Sequence, residues 1–322
     1  MKNQIVYSVF AISIALLFGC SGNHDRQETL VRSEQIRIVI DSITNLDSLA
    51  AAVKISDNER ARAYAHRAME LAKGTDSEEA LALASVMMGY SYNNYNNDTS
   101  LIYNTIALEL SRKNKFTTTY SAALYNLANL YYEASDLKTA IVFADSALQV
   151  FSQTGKYKFL SNTYNFLGNL KNDLSDTNGA RIMYDSAISI ARRHALPMQE
   201  GVAIASKARF YADPKEQEKR LKQAIELLNG IPGAEEAAAA MYTNLGMNSA
   251  NPDTALLYYN EALKLARISR SDEITLGVCN NQAYSYLEKN DFRRAEECLV
   301  SNAIPLAQQK KKYSWLASIY DT

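Results

Sequence analysis

ALYNLANLYYEASDLKTAIVFADSAL, residues 123–148, is echoed forty positions later by TYNFLGNLKNDLSDTNGARIMYDSAI, residues 163–188, and the agreement between the two lines decides the fold. Leu127, Asn129, Leu130, Ser135, Asp136, Ala140, Asp145, Ser146 and Ala147 recur as Leu167, Asn169, Leu170, Ser175, Asp176, Ala180, Asp185, Ser186 and Ala187. Small and apolar residues dominate that set, which marks a repeated packing unit and not a catalytic constellation. Leu124, Leu127, Ala128 and Tyr131 keep the three-and-four spacing of one helix face. Asp136 is placed to cap a second helix, in which Ala140, Phe143 or Ala144, and Ala147 return at the same spacing. Two helices of about a dozen residues joined by a short turn lie antiparallel, and a small residue on each facing surface lets the backbones approach.

The same layout extends along most of the chain. Successive small residues of the first helices, Gly89, Ala128, Gly168, Ala208, Gly246 and Ala283, are 39, 40, 40, 38 and 37 positions apart. Composition agrees: 12 glycines and 5 prolines in 322 residues leave little turn material for an all-β fold. Pro197, Pro214, Pro232 and Pro252 sit where helices start or stop, and Pro305 is expected to kink or end the helix that begins near Phe292. The turns after Ala208 and Gly246 are about three residues shorter than the others, with Asp213-Pro214 and Asn251-Pro252 supplying an abrupt cap. Lys171 and Ser249 stand where the other first helices carry tyrosine. With 34 basic and 35 acidic side chains the chain has no electrostatic footprint for nucleic acid.

Leu-Gly or Leu-Ala, then tyrosine, then two alanines flanking an aromatic resembles the unit of the tetratricopeptide repeat (TPR) family. The resemblance runs from about Glu34 to the C-terminus and implies an all-α fold, a TPR-like α-solenoid: a right-handed superhelix of antiparallel helix pairs with a concave inner wall. About six to seven pairs are expected over 34–322, with the last incomplete.

The first residues are separate. MKNQIVYSVFAISIALLFGC has a lysine near its start and an apolar run from Ile5 to Phe18, the form of a secretory signal. Leu17-Phe18-Gly19-Cys20 resembles the lipobox of bacterial lipoproteins, which implies removal of residues 1–19 and lipid attachment at Cys20; ordinary secretion with cleavage elsewhere is the alternative. Residues 20–33 read as the lipidated cysteine and a polar tether. Ser21 after Cys20 favours the outer membrane by the sorting pattern of such lipoproteins.

Candidate chemistry is sparse, and no enzyme is expected. His24, His66 and His194 are far apart, with no metal-binding doublet, no serine elbow and no glycine-rich phosphate loop; surface or packing roles are expected of them, and no cofactor or metal. Cys279 and Cys298 fall in one helix pair, either as buried thiols acting as small apolar residues or as a disulfide. The run Lys310-Lys311-Lys312 reads as a solvated turn.

The informative polar feature is asparagine. At about 100° per residue, Asn162, Asn165, Asn169 and Asn172 fall within roughly 80° on one helix, although asparagine disfavours helix by about 0.6 kcal/mol relative to alanine. Tyr125, Asn126, Asn129 and Tyr132 occupy a related face one repeat earlier. In TPR proteins the first helix of each pair lines the groove, and the resemblance implies that such asparagines hydrogen-bond the backbone of a bound peptide; the competing role is to solvate the groove or to bond adjacent repeats.

Taken together, the expectation is a lipid-anchored TPR scaffold of the bacterial envelope holding a protein or peptide in its groove, with the bilayer as a second partner through the acylated N-terminus. An alternative is the extracytoplasmic input region of a longer membrane-bound signalling protein with a histidine kinase or DNA-binding output. Glycan-binding lipoproteins of the starch-utilisation type also combine lipoboxes with such helices, but they carry long insertions and aromatic platforms, whereas this chain is regular and has one tryptophan, Trp315.

Overall fold

The computed structural model describes residues 24–54, 57–93, 95–309 and 313–320. The signal segment, Cys20 and the run Lys310 to Lys312 lie outside them. The described residues form helices and turns with no strand. In chain order the helices are α1 (His24–Val53), α2 (Asn58–Lys73), α3 (Glu78–Tyr92), α4 (Asn97–Asn114), α5 (Thr117–Glu133), α6 (Leu137–Gln153), α7 (Tyr157–Asp173), α8 (Thr177–Arg193), α9 (Pro197–Ala208), α10 (Pro214–Leu228), α11 (Glu235–Met247), α12 (Pro252–Ser269), α13 (Asp272–Glu288), α14 (Phe292–Glu296), a π-helical segment (Glu297–Ala303), α15 (Ile304–Gln309) and α16 (Tyr313–Tyr320). Each odd-numbered helix up to α11 pairs with the even-numbered helix after it, and each pair stacks on the next. Helix α1 begins at His24, so ten of the residues assigned to the tether are helical, and its Arg32 pairs with Asp76 in the turn after α2.

The recurrent Ser-Asp of the sequence is the turn inside a pair. Ser135 and Ser175 have positive φ, 60° and 62°, which reverses the chain after α5 and α7. The next residue, Asp136 or Asp176, then caps the helix after the turn by accepting from the backbone N–H of Thr139 (3.2 Å) or Gly179 (2.9 Å). Both carboxyls lie below their ordinary range, Asp136 through hydrogen bonds from the Thr139 side chain and then its backbone N–H, and Asp176 through the Gly179 N–H and then the Lys171 ammonium. In the shorter turns, Asp213 accepts from Lys215 N–H (3.0 Å), and Asn251 accepts from Asp253 (2.9 Å) and Thr254 (3.1 Å), each with proline in the first helical turn.

Two kinds of close approach join the helices of a pair. Glycine faces a large buried side chain in four: Gly89 under Asn104, Gly168 under Tyr184, Gly201 under Leu228, and Gly246 under Tyr259. In α5 and α6, alanine meets alanine, with Ala128 and Ala144 buried in one cluster with Ala140 and Leu167. Both solutions fill the same gap, since a packed core tolerates either a ring over a bare backbone or two methyls, but no void. The expected break at Pro305 takes another form. Proline lacks an N–H and crowds the carbonyl four residues back, at Ser301, so the helix widens into the π-helical segment at 297–303 and resumes at Ile304.

Candidate functional site: the inner face of the odd-numbered helices

A curved stack is tighter on its inner side. Odd-numbered helices touch those of neighbouring pairs (α1 with α3, α3 with α5, α7 with α9, α11 with α13), while the even-numbered helices of neighbouring pairs stand further apart. The odd helices therefore line the concave wall, and side chains one position after the small residue point into it. That row is Tyr90, Asn129, Asn169, Arg209, Met247 and Tyr284. Tyr90, Met247 and Tyr284 are exposed there (39%, 63% and 49%), a lining that the asparagine stripe alone did not reveal and that counting from Gly89, Gly246 and Ala283 would have found.

The predicted residues divide by what they already bond. Asn126 is a structural element: its amide donates to Oδ1 of Asn104 in α4 (3.0 Å), and Asn104 is fully buried. Asn129 donates to the Tyr125 carbonyl (2.8 Å), and Tyr125 packs edge-on against Phe151 and Phe166. The Tyr132 hydroxyl donates to Asp173 Oδ2 (2.9 Å) in the next pair, and Asn172 donates to Asp173 Oδ1 (3.3 Å). Asn169 accepts from the Tyr184 hydroxyl (2.7 Å) through its Oδ1, which leaves its amide N–H groups to the groove. Asn165 Oδ1 is buried with no hydrogen-bond partner, and Asn162 is half-buried one turn before it. The free hydrogen-bonding capacity of the stripe is thus concentrated on α7, at Asn162, Asn165 and Asn169.

Electrostatics place further groups on the wall. Burial pushes the Tyr90 phenol up, and the carboxylates of Asp47 on α1 and Glu236 on α11 push it further. Burial also raises Tyr125, with the Asn129 amide offsetting part of the shift and Tyr90 adding to it. Tyr132 is pushed up to about 12 by burial and then by its hydrogen bond to Asp173, with Arg209 acting in the opposite sense. Lys54, at the end of α1, donates to the carbonyls of Ser91 (3.1 Å) and Asn93 (3.3 Å) and lies 5.3 Å from the Tyr90 ring centre.

Lys54 gives a pH signature. Burial, then the charge of Arg62, lowers its pKa from 10.5 to about 8. Between those values the unfolded chain holds a proton that the folded one has released, so this group makes stability rise with pH from about 8 to 10.5. Tyr132 and Tyr259 act oppositely: their pKa values rise from 10.0 to about 12, so stability falls with pH once unfolded phenols ionise. Cys279, raised from 9.0 to about 11, opposes Lys54 above pH 9, so denaturant midpoints should climb from about pH 8 to 9, level off, and decline above about pH 10, and Lys54→Met should remove the climb.

The other sequence candidates are accounted for by packing. His66 Nε2 is 2.9 Å from the Tyr92 hydroxyl, and His194 stacks on Tyr157 with ring centres 3.4 Å apart. Cys279 and Cys298 are free thiols; burial pushes Cys279 up to about 11, and Cys298 is raised by burial and by Glu297. Among the described residues no group of three or more His, Cys, Asp or Glu side chains is placed to hold a metal ion, and no helix is long and apolar enough to cross a membrane.

The described residues form a helical repeat solenoid, and one segment of it matches the tetratricopeptide repeat. Residues 119–193 match the tetratricopeptide repeat family model, and these are the residues of α5 to α8 that carry the two near-identical lines. No curated protein sequence matches the chain. Among solved structures, it is similar to a Rap protein complexed with Competence and Sporulation Factor (TM-score 0.63, 15% identity, covering 92% of this chain and 90% of that one). It is also similar to the apo form of RapI (TM-score 0.60, 11% identity, 84% and 99%). A third is a STAND signal-transduction ATPase with a tetratricopeptide repeat sensor from Pyrococcus horikoshii (TM-score 0.59, 16% identity, 97% and 50%). At these identities the likeness is one of fold.

Proposed function

We propose that the protein is a lipid-anchored scaffold of the bacterial cell envelope that holds an extended peptide, or an extended segment of a partner protein, in its groove. The observation that carries the binding half is the set of uncommitted amides on α7. A side-chain amide offers both a donor and an acceptor, and so does each residue of an extended chain, so Asn162, Asn165 and Asn169 can bond a backbone whatever its side chains are. The solved Rap complex with Competence and Sporulation Factor supports the reading by likeness of fold. Anchoring rests on Leu17-Phe18-Gly19-Cys20, since two or more acyl chains at about 0.8 kcal/mol per buried methylene hold a protein at a bilayer without a spanning helix.

One experiment tests both halves. The full chain is produced in a bacterium, membranes are separated, and photo-crosslinked partners are compared between wild type and variants. Cys20→Ser should move the protein from the membrane fraction to the soluble one, and Asn162→Ala with Asn165→Ala, neither of which strands a hydrogen-bond partner, should abolish the crosslinks while the thermal midpoint stays close to that of wild type. Unchanged partition of Cys20→Ser removes the anchor; unchanged crosslinks remove the groove. The sensory alternative shares the groove and differs in carrying an output domain: the gene sequence beyond Thr322 separates the two, an apolar span and an output domain favouring the sensor.

A further inference from the structure

The stack has two edges of different charge. Successive helices alternate in direction, so the turns between pairs fall on one edge and the turns inside pairs on the other. Contacts along the first edge show its turns side by side. The Lys113 ammonium and the Asn114 amide of the α4–α5 turn reach Glu78 at the start of α3 (2.8 Å and 2.6 Å), and Tyr157 after the α6–α7 turn stacks on His194 of the α8–α9 turn. Three consecutive turns of this edge are basic. Arg112 and Lys115 flank the first, Lys156 and Lys158 the second, and Arg193 precedes the third; each is exposed, and none makes an ion pair among the described residues. Of the nearby acids, Glu200 bonds Arg192 (2.7 Å), and Glu109 lies a turn further into α4. The patch ends where Glu235 and Glu236 open α11. On the opposite edge the turns of the same repeats carry the capping carboxylates Asp136, Asp176 and Asp213.

Helix ends explain only part of this. Cations in a last turn complement the negative end of a helix, which covers Arg112 on α4 and Arg193 on α8. Lys156 and Lys158 have the opposite placement: they are the N-cap and the second residue of α7, at its positive end, with no acid in the first turn and no side-chain cap. Two cations there disfavour the helix, so their use lies outside it, with something anionic. Beside them Tyr157 and Phe159 are 39% and 47% exposed, rings of the kind that sit at the headgroup level of a bilayer. The course of α1 identifies the surface. Its Arg32 pairs with Asp76 in the α2–α3 turn, so α1 starts on the basic edge, and residues 24–31 run about 12 Å past that contact. Cys20 precedes His24 by four positions, a reach of at most about 14 Å.

We infer that this edge is a docking surface for an anionic phospholipid bilayer, with its free cations over the headgroup phosphates and Tyr157 and Phe159 at headgroup level. Anchor and patch then act on the same side of the molecule. The anchor keeps the chain at the bilayer, and each basic side chain that comes within a Debye length, about 10 Å, strengthens the contact about fivefold. The three turns span two interhelix spacings, about 20 Å, which is wide enough to set the tilt of the stack. With this edge down, the helices stand along the membrane normal and the concave wall opens sideways, clear of the bilayer. This rests on the anchor reading for the place of Cys20 and adds the orientation that an anchor alone leaves free.

The test uses the full chain, purified from bacterial membranes in detergent and bound to preformed vesicles of phosphatidylcholine, alone or mixed with phosphatidylglycerol. Lysine acetylation is then read residue by residue by mass spectrometry. On the anionic vesicles Lys115, Lys156 and Lys158 should react about fivefold more slowly than on the neutral ones, while Lys138 and Lys215, exposed on the opposite edge, keep their rates. High salt should remove the difference. Lys156→Glu with Lys158→Glu should remove the protection of Lys115, and the thermal midpoint should hold or rise, because the new charges complement the start of α7. Equal rates on the two vesicles, equal slowing on both edges, or the same slowing produced on neutral vesicles by inorganic phosphate overturns the docking surface. Flotation separates the two readings. Wild type that floats with both vesicles and shows no protection keeps its anchor and loses the docking edge; wild type that floats only with the anionic ones keeps the edge and loses the anchor; floating with neither overturns both.

Discussion

Gly168→Ala is expected to destabilise the protein by about 1–3 kcal/mol, a large effect for one methyl group. A Cβ at Gly168 would stand 2.5 Å from Cε1 of Tyr184. That ring cannot swing aside, because Tyr184 is fully buried and its hydroxyl is bonded to Asn169. Tyr184→Ala should cost about 3–5 kcal/mol through the cavity it leaves. The double variant rebuilds the alanine pair that the preceding repeat already uses at Ala128 and Ala144, so its cost in urea unfolding should fall short of the sum of the single costs by about 0.5–3 kcal/mol. Strict additivity would show that the glycine is not there to seat the ring.

The second large effect separates an asparagine of the fold from an asparagine of the site. Asn104 is fully buried, bonded through its amide to the Ser100 carbonyl (3.0 Å) and through its Oδ1 to the Asn126 amide (3.0 Å). Asn104→Ala strands the Asn126 donor, and Asn126→Ala strands the Asn104 acceptor, so each should lower stability by about 1–3 kcal/mol, with the double variant costing less than the sum. Neither change should alter the photo-crosslinks expected of the groove. If Asn126→Ala leaves stability intact and weakens the crosslinks, Asn126 belongs to the groove after all.

How much of this could be read in the letters depends on which contacts are local. Helices, their pairing and the turns were legible because Asp136 and Asp176 act on backbone within three residues, and because Gly89, Gly168 and Gly246 mark close approach by identity alone. The partner of each glycine was not, since the chain answers the same gap with Asn104, Tyr184 or Tyr259 at separations that change with turn length. The polar stripe on α7 was legible from four asparagines at helical spacing. The division of labour among them was not, because Asn126 is spent on a residue 22 positions upstream and Asn169 on one 15 downstream. At Pro305 the expected stop became a widening, since an extra residue in a turn relieves the clash without giving up the packing of Ala303 and Ala307.

Because each hairpin leans on its immediate predecessor, synthesis and assembly can run in the same direction. As a growing chain leaves the ribosome, the α1–α2 hairpin is complete before α3 exists, and every later hairpin arrives to a surface already made. Such a chain exposes one unfinished edge at a time during its manufacture, which limits the window for aggregation to the most recent addition.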